Sequence, residues 1–362
     1  MNLNKYLKNT LIFFTILFIT FILLEVTLRI YSKYNKVLII GENNRVYKHS
    51  FFEEGIAFNS FDNFFTFKAN LKNKRFVNFF FDPKLESVIK VWDYKFSTNN
   101  YGLVQDNELE KKKKSIIFLG DSFTVGWGTE PWINNFNGMF KKMQVINGGQ
   151  AGAGFWQISE LEKHFSNIFQ IEKVVYIFIN QDVNRGRIIP KNTNCFKNYL
   201  KCDQLNSSIF TFPKVDNFDV DNYARKIMEK KNFKSNFNYS DKIKYAIRSL
   251  HTYNYFRSLL NSIRKRNDYT IKRNLASILK LKNKYKDNII FIQINSPIDI
   301  GLKFETFETK LVNKFFLKNN IKKFYCDMNN DLSFFYKYDF HPNKKGYHHI
   351  YECVNKILSS NL

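Results

Sequence analysis

Cysteine is scarce in this chain, and its absence from metal-binding patterns is informative. The 362 residues contain four cysteines, at Cys195, Cys202, Cys326 and Cys353. None of them forms the paired short spacings of thiolate metal sites, so neither structural zinc nor any other metal or cofactor is expected. Cys195 and Cys202 flank a short segment that suits a disulfide-closed loop in an oxidising compartment. Four reduced thiols are the alternative.

Acidic residues are also few, and the resulting charge needs an explanation. There are 32 Asp and Glu against 56 Lys and Arg, a formal net charge of +24. The lysines are spread along the whole chain and form no single basic patch, so nucleic-acid binding is not expected. Hydrophobic residues make up 44% and aromatic residues 18%. This composition excludes a disordered chain and predicts a substantial core.

The N-terminal part of the chain carries a long apolar run without a charge. Leu11 to Leu24 is uninterrupted, and the apolar character continues past Glu25 to Ile30. That gives about 20 residues, enough for a helix to cross a bilayer. No small-x-small cleavage site follows, so the sequence predicts a short tail at 1–9 and an uncleaved, single-pass membrane anchor at 10–30. Positive charges on both sides leave the orientation open, and a buried soluble helix is the alternative.

Beyond the anchor, the chain divides into a segment without clear periodicity and an α/β pattern. Residues 31–113 are rich in Phe and Asn, and no fold is predicted for them. From residue 114 onward, short apolar runs alternate with helical patterns, which predicts a parallel sheet with helices on both faces over 114–362. The expected strands are Ser115–Leu119, Gln144–Asn147, Lys173–Ile179, Asn288–Ile294 and Lys322–Cys326.

A long insertion interrupts this α/β pattern at about 186–286. It holds Cys195 and Cys202 and two Lys-rich amphipathic helices, around Tyr245–Arg264 and Thr270–Lys284. A solvated helical cap is the expected structure. As alternatives, these helices would cover the mouth of the active site or contact a partner.

The residues that carry chemistry follow the first and last predicted strands. Gly120-Asp121-Ser122 comes directly after the first strand, which puts a hydroxyl at the carboxyl edge of the sheet, where open α/β folds bind ligands. A serine becomes a useful nucleophile only when a base removes its proton and an acid orients that base. Asp339-Phe340-His341-Pro342-Asn343 follows the last strand. We therefore expect Ser122 as nucleophile, His341 as base and Asp339 as the orienting acid.

In this order of motifs the chain resembles the SGNH (GDSL) hydrolase superfamily, over roughly residues 115–182 and 287–360. The resemblance implies a three-layer α/β/α, flavodoxin-like fold. It also implies an oxyanion hole that includes the backbone N–H groups of Ser122 and Gly152, the latter at the end of the stretch NGGQAG at 147–152. The string GDSFTVGWG at 120–128, with the anchor and the stretch EVTLR at 25–29, resembles the membrane-anchored bacterial branch.

Two departures from the superfamily pattern concern its third and last motifs. The third motif usually reads Gly-Asn-Asp, with the asparagine as a further oxyanion donor, but this chain has Asn180-Gln181-Asp182. Either Gln181 or Asn180 would therefore have to supply the side-chain hydrogen bond to the oxyanion. In the last motif the acid stands two residues before the histidine, where many members have three.

The resemblance leads to two functional hypotheses. The first is a membrane-anchored serine esterase or O-acyltransferase, with its catalytic domain periplasmic or extracellular. It would act on an acyl ester or O-acylated glycan, such as an O-acetylated carbohydrate, through an acyl-enzyme on Ser122. The second is a catalytically weakened domain of the same fold that binds cell-envelope glycans or an assembly partner.

Overall fold

The fold is described from a computed structural model of the chain. It describes residues 3–35, 48–53, 56, 58–61, 63–82, 87–140, 142–186, 268–301, 305–329 and 331–361, with single positions between 222 and 260. The expected Cys195–Cys202 disulfide lies outside the described residues, as does most of the helix expected around Tyr245–Arg264.

The apolar N-terminal run forms one long helix, α1 (Leu3–Asn35). Its stretch Tyr6–Ile30 is long and apolar enough to cross a membrane, and a signal sequence would have the same length and composition. Three threonines of this stretch, Thr15, Thr20 and Thr27, donate their hydroxyls to the carbonyl four residues earlier. The Glu25 carboxylate accepts from Arg29 Nε at 2.7 Å and from the N–H of Thr252 at 2.8 Å.

The segment for which no fold was predicted forms two small antiparallel sheets. Its strands are β1 (Lys48–Phe52), β2 (Phe58–Ser60), β3 (Phe65–Phe67), β4 (Lys74–Asp82) and β5 (Ser87–Phe96). β1, β4 and β5 form a three-stranded sheet, which we call the lead sheet, and β2 pairs with β3. Aromatic side chains hold the lead sheet to the rest of the protein. Within the sheet, the rings of Phe52 and Phe76 stack with their centroids 3.8 Å apart, and both rings meet Trp127, outside the sheet, edge-on.

A parallel sheet of five strands forms the centre of the following domain. The strands are β6 (Lys114–Gly120), β7 (Gln144–Gly149), β8 (Gln170–Phe178), β9 (Ile289–Ile294) and β10 (Lys323–Cys326). Their spatial order is β10-β9-β8-β6-β7, and every neighbouring pair is parallel. All five strands were expected from the sequence, and the predicted α/β class is confirmed.

Helices cover both faces of this sheet. They are α2 (Ser122–Val125), α3 (Phe155–Ser166), α4 (Asp268–Tyr285), α5 (Pro297–Gly301), α6 (Phe307–Lys318) and α7 (Lys344–Asn361), with short 3-10 helices at Trp132–Phe136, Asn180–Asn184, Lys286–Asn288 and Leu332–Phe334. The apolar residues of α3, α4 and α6 pack in one hydrophobic cluster, and those of α7 pack in another. The domain is therefore a three-layer α/β/α sandwich.

One helix assigned to the insertion belongs to this sandwich. The sequence reading expected a solvated cap at Thr270–Lys284, but α4 buries Ile278 and Leu281 in the core. Its Asn274 side chain also donates to the carbonyls of Val183 and Arg185, each at 2.8 Å. The expectation fails because the lysines of an amphipathic helix mark only its outer face, while its apolar face decides what it packs against.

A disulfide that was not predicted joins the last strand to the last helix. Cys326, at the end of β10, is bonded to Cys353 in α7, 27 positions later. The loop that it closes contains Asp339 and His341. The bond therefore restricts the segment that carries two of the three expected catalytic residues.

Replacing both cysteines, Cys326→Ala with Cys353→Ala, should lower the free energy of unfolding by about 3–4 kcal/mol, because the unfolded chain regains the entropy of an open loop. Denaturant unfolding of the full chain in detergent measures the change. Mass spectrometry of non-reduced peptides from the wild type should find the two cysteines linked, and finding both as free thiols would contradict the assignment.

Candidate active site

The loop after β6 presents Ser122 at the carboxyl edge of the sheet. A Cβ on Gly120 would lie 2.1 Å from Thr124 Oγ1 and 2.2 Å from the Ile177 carbonyl oxygen, so only glycine fits at this turn. Asp121 then caps α2, because its Oδ1 accepts the Phe123 N–H at 2.9 Å. Ser122 is consequently the first residue of a short helix and is 4% exposed.

The structure brings together the three residues expected to act as nucleophile, base and acid. Ser122 Oγ lies 2.9 Å from His341 Nε2, although 219 positions separate them in sequence. The other ring nitrogen, Nδ1, lies 2.5 Å from Asp339 Oδ2. A hydroxyl, an imidazole and a buried carboxylate in this order can transfer a proton from the hydroxyl to the ring while the carboxylate stabilises the imidazolium.

A tight turn explains how the shortened Asp-x-His spacing still forms this contact. Phe340, between the acid and the base, has a left-handed backbone with φ of 61°. The Phe340 N–H donates to the Tyr336 carbonyl at 2.9 Å, and the Tyr336 N–H donates to the His341 carbonyl at 2.9 Å. The carboxylate and the imidazole therefore meet with one residue between them.

The glycine-rich turn after β7 lies beside residues 120–128, which carry the expected nucleophile Ser122 and which we call the nucleophile loop. The Gln150 N–H donates to the Gly120 carbonyl at 2.8 Å, and the Ala153 N–H closes a turn onto the Gln150 carbonyl at 3.2 Å. Gly152, at the third position of this turn, has φ of 73°, a conformation that favours glycine. Within the described part of the chain, the N–H groups of Gly152 and Ser122 donate to no protein acceptor. Both N–H groups are therefore available to a ligand.

The two carboxamides of the third motif are engaged elsewhere. They follow β8, the strand next to β6. Asn180 is fully buried, and its Nδ2 donates to Thr309 Oγ1 at 3.0 Å. Gln181 is half-buried, and its Nε2 donates to Asp299 Oδ1 at 3.3 Å. Each carboxamide thus donates to the α5–α6 region, and Gln181 is the more accessible of the two.

Two buried carboxylates and a partly exposed arginine connect the third motif to the nucleophile loop. Arg185 Nη1 lies 2.6 Å from Asp121 Oδ2 and 2.6 Å from Asp182 Oδ1. Burial raises the pKa of Asp182 well above its ordinary value; the Asp121 charge adds to this effect and Arg185 opposes it. Arg185 was not identified from the sequence as part of the site. Its place three residues after Asp182 was the only local feature that pointed to an ion pair.

A tryptophan of the lead sheet also reaches the site. Trp92 Nε1 donates to Asp339 Oδ2 at 2.8 Å in a buried contact across 247 positions of sequence. The sequence reading missed this residue, because no local pattern links β5 to the last motif. Across the described ranges, no group of three His, Cys, Asp or Glu side chains is arranged to hold a metal ion.

Comparison with known proteins gives low-identity likenesses to solved structures. The chain is similar to a member of the lipolytic G-D-S-L family from Veillonella parvula DSM 2008, at 9% identity and a TM-score of 0.33, covering 68% of this chain and 98% of that one. A lipase/acylhydrolase from Enterococcus faecalis matches at 12% identity and a TM-score of 0.35, covering 68% and 96%.

A carbohydrate esterase family 2 enzyme with its carbohydrate-binding domain, from Corynascus thermopiles (Myceliophthora fergusii), matches at 14% identity and a TM-score of 0.31, covering 76% and 75%. No protein-family model and no curated protein matches the chain.

Proposed function

We propose that this protein is a serine-dependent ester hydrolase or acyltransferase. The observation that carries the proposal is the hydrogen-bond chain from Ser122 through His341 to Asp339 at the carboxyl edge of the parallel sheet. Such a chain is what a serine needs to attack an acyl carbonyl near neutral pH. The two backbone N–H groups without an acceptor, on Ser122 and Gly152, supply an oxyanion hole beside it.

The proposed reaction has two steps that share one acyl-enzyme. Ser122 Oγ attacks the acyl carbonyl while His341 Nε2 takes its proton, and the carbonyl oxygen becomes an oxyanion held by the backbone N–H groups. As the oxyanion collapses, the bond to the leaving alcohol breaks and His341 returns the proton to that alcohol. An acceptor hydroxyl then attacks the acyl-enzyme by the same proton transfers and releases Ser122.

The nature of the acceptor separates the two activities. Water as acceptor gives an esterase, and a sugar hydroxyl gives an O-acyltransferase. The proposed substrates are acyl esters, including O-acylated glycans. The intermediate is identical in both cases, so the products formed with and without an added glycan distinguish them.

Ser122 should be the residue that a fluorophosphonate probe modifies. Ser122→Ala should abolish labelling and leave the circular dichroism spectrum unchanged, because the side chain loses one oxygen and little packing. Ser159→Ala, at another buried serine, is the matched control and should label like the wild type. Labelling of a residue other than Ser122, found by mass spectrometry, would overturn the proposal.

The third oxyanion donor should be Gln181, because it is more accessible than Asn180. Gln181→Ala should lower kcat by about 10²-fold with little change in KM, since an oxyanion donor acts mainly in the transition state. Asn180→Ala should have a much smaller effect on kcat. Steady-state kinetics on one activated ester measures both variants, and the reverse pattern would assign the role to Asn180.

A second candidate function rests on the same two carboxamides. Because both already donate to side chains of the α5–α6 region, a weakened domain that binds cell-envelope glycans or an assembly partner is the competing proposal. Wild-type hydrolysis of an aryl acetate no faster than that of Ser122→Ala would favour it.

The location that we propose for the catalytic domain is extracytoplasmic, behind a retained membrane anchor. The apolar stretch of α1 supports the anchor. The burial of Glu25 against Thr252 supports its retention, since cleavage would remove this contact. The Cys326–Cys353 disulfide supports an oxidising compartment outside the cytoplasm.

The full-length chain should therefore stay with the membrane fraction through washes with high salt and with carbonate, because hydrophobic insertion does not depend on charge. Detergent should release it. Release by salt alone would contradict the anchor. A mature N-terminus beyond residue 30, found by N-terminal sequencing, would show a cleaved signal sequence instead.

A further inference from the structure

Trp92 contacts the proposed catalytic acid from outside the α/β sandwich. Its indole Nε1 donates to Asp339 Oδ2 at 2.8 Å, and this same oxygen lies 2.5 Å from His341 Nδ1. The indole is 4% exposed and the Asp339 side chain 1% exposed. A buried carboxylate is stabilised by each N–H that it accepts, and hydrogen bonds to a charged group are stronger than those between neutral groups.

A bulge in β5 turns Trp92 toward the site. In the pairing with β4, Trp92 lies opposite Asn78, but Lys90 lies opposite Phe79, so Val91 is an extra residue. The side chains of a regular strand alternate, which would put Trp92 on the same face as the exposed Lys90. The extra residue reverses the alternation, so Trp92 lies on the buried face of the sheet and Lys90 on the exposed face. Bulges next to active sites commonly re-aim a side chain in this way.

The indole is held by close packing on several sides. The ring of Phe76 meets it edge-on at 4.5 Å. Gly128, the last residue of the GDSFTVGWG string, has φ of 98°, and a Cβ there would lie 3.4 Å from the indole Cδ1 and 3.1 Å from the ring of Tyr336. Tyr336 in turn donates its hydroxyl to the Gly128 carbonyl at 2.9 Å. Gly128 thus lets the nucleophile loop and the indole approach residues 336–342, which carry Asp339 and His341 and which we call the acid–base loop.

The lead sheet makes a second contact with the acid–base loop. Phe80 of β4 stacks on Tyr338 at 4.3 Å, with the ring planes 13° apart. Tyr338 directly precedes Asp339. Two neighbouring strands of the lead sheet therefore contact the segment that carries the acid.

We propose that Trp92 is a positioning residue for catalysis, and that the lead sheet thereby completes the active site of the α/β domain. The proposal rests on the proposed function. The indole N–H fixes the orientation of the Asp339 carboxylate, so that this carboxylate accepts the His341 Nδ1–H and the Nε2 lone pair faces the Ser122 hydroxyl. Trp92 acts through Asp339 and does not contact the reacting atoms.

Trp92→Phe tests this in the full-length chain, because it removes the N–H and keeps an aromatic ring. With an aryl acetate, kcat should fall about tenfold while KM stays within about twofold, since a hydrogen bond to a charged group is lost and no substrate contact changes. The rate constant for fluorophosphonate labelling of Ser122 should fall with kcat. Trp156→Phe is the matched control: it truncates another buried tryptophan, which stacks under Arg273, and should leave kcat unchanged.

A second variant separates the N–H from the shape of the ring. Replacing Trp92 by β-(3-benzothienyl)alanine keeps the bicyclic ring and substitutes sulfur for the N–H, so folding is preserved. Its kcat should fall like that of Trp92→Phe. A kcat equal to wild type in this variant would overturn the positioning role, even if Trp92→Phe fails to fold. Failure of the probe to label wild-type Ser122 would instead overturn the proposed function.

Discussion

The position of the Asp339 carboxylate is the constraint on which the candidate site depends. A serine and a histidine separated by more than two hundred positions meet only if the loop between β10 and α7 holds one conformation. The left-handed Phe340 forms the turn, the Cys326–Cys353 disulfide closes the loop around it, and the lead sheet packs against it. The carboxylate that orients His341 is thus held by both the sandwich and the lead sheet.

A second constraint is the charge buried beneath the nucleophile loop. Two aspartates so close together repel each other in a low dielectric, and removing their cationic partner would leave uncompensated buried charge. Arg185 lies between Asp121 and Asp182 and compensates them. It also connects the carboxyl ends of the neighbouring strands β6 and β8, so this cluster couples the first motif to the third. The aspartates of both motifs therefore have a structural role that does not require contact with substrate.

The two candidate functions differ at one place in the site. The proposed triad and two backbone donors favour acyl transfer, whereas Gln181, at the position where the superfamily that the sequence resembles usually has asparagine, donates to Asp299. A glutamine is one methylene longer than an asparagine, and the Gln181 carboxamide must give up its hydrogen bond to Asp299 before it can donate to an oxyanion. That hydrogen bond is 3.3 Å long and part-buried, longer than most N–H···O bonds, so breaking it costs little.

Sequence alone determined the parallel α/β sheet, the apolar N-terminal helix and the serine, histidine and aspartate that the structure brings together. These features depend on local patterns: short apolar runs that alternate with helical patterns, and the Gly-Asp-Ser and Asp-x-His motifs that follow the first and last strands. Only the tertiary structure decided the Trp92 and Arg185 contacts, the Cys326–Cys353 pairing and the place of α4 in the core. Each of these features joins segments that are distant in sequence, and the Trp92 contact also depends on a one-residue bulge. Which side chains meet is set by how those segments pack, and no local pattern encodes that packing.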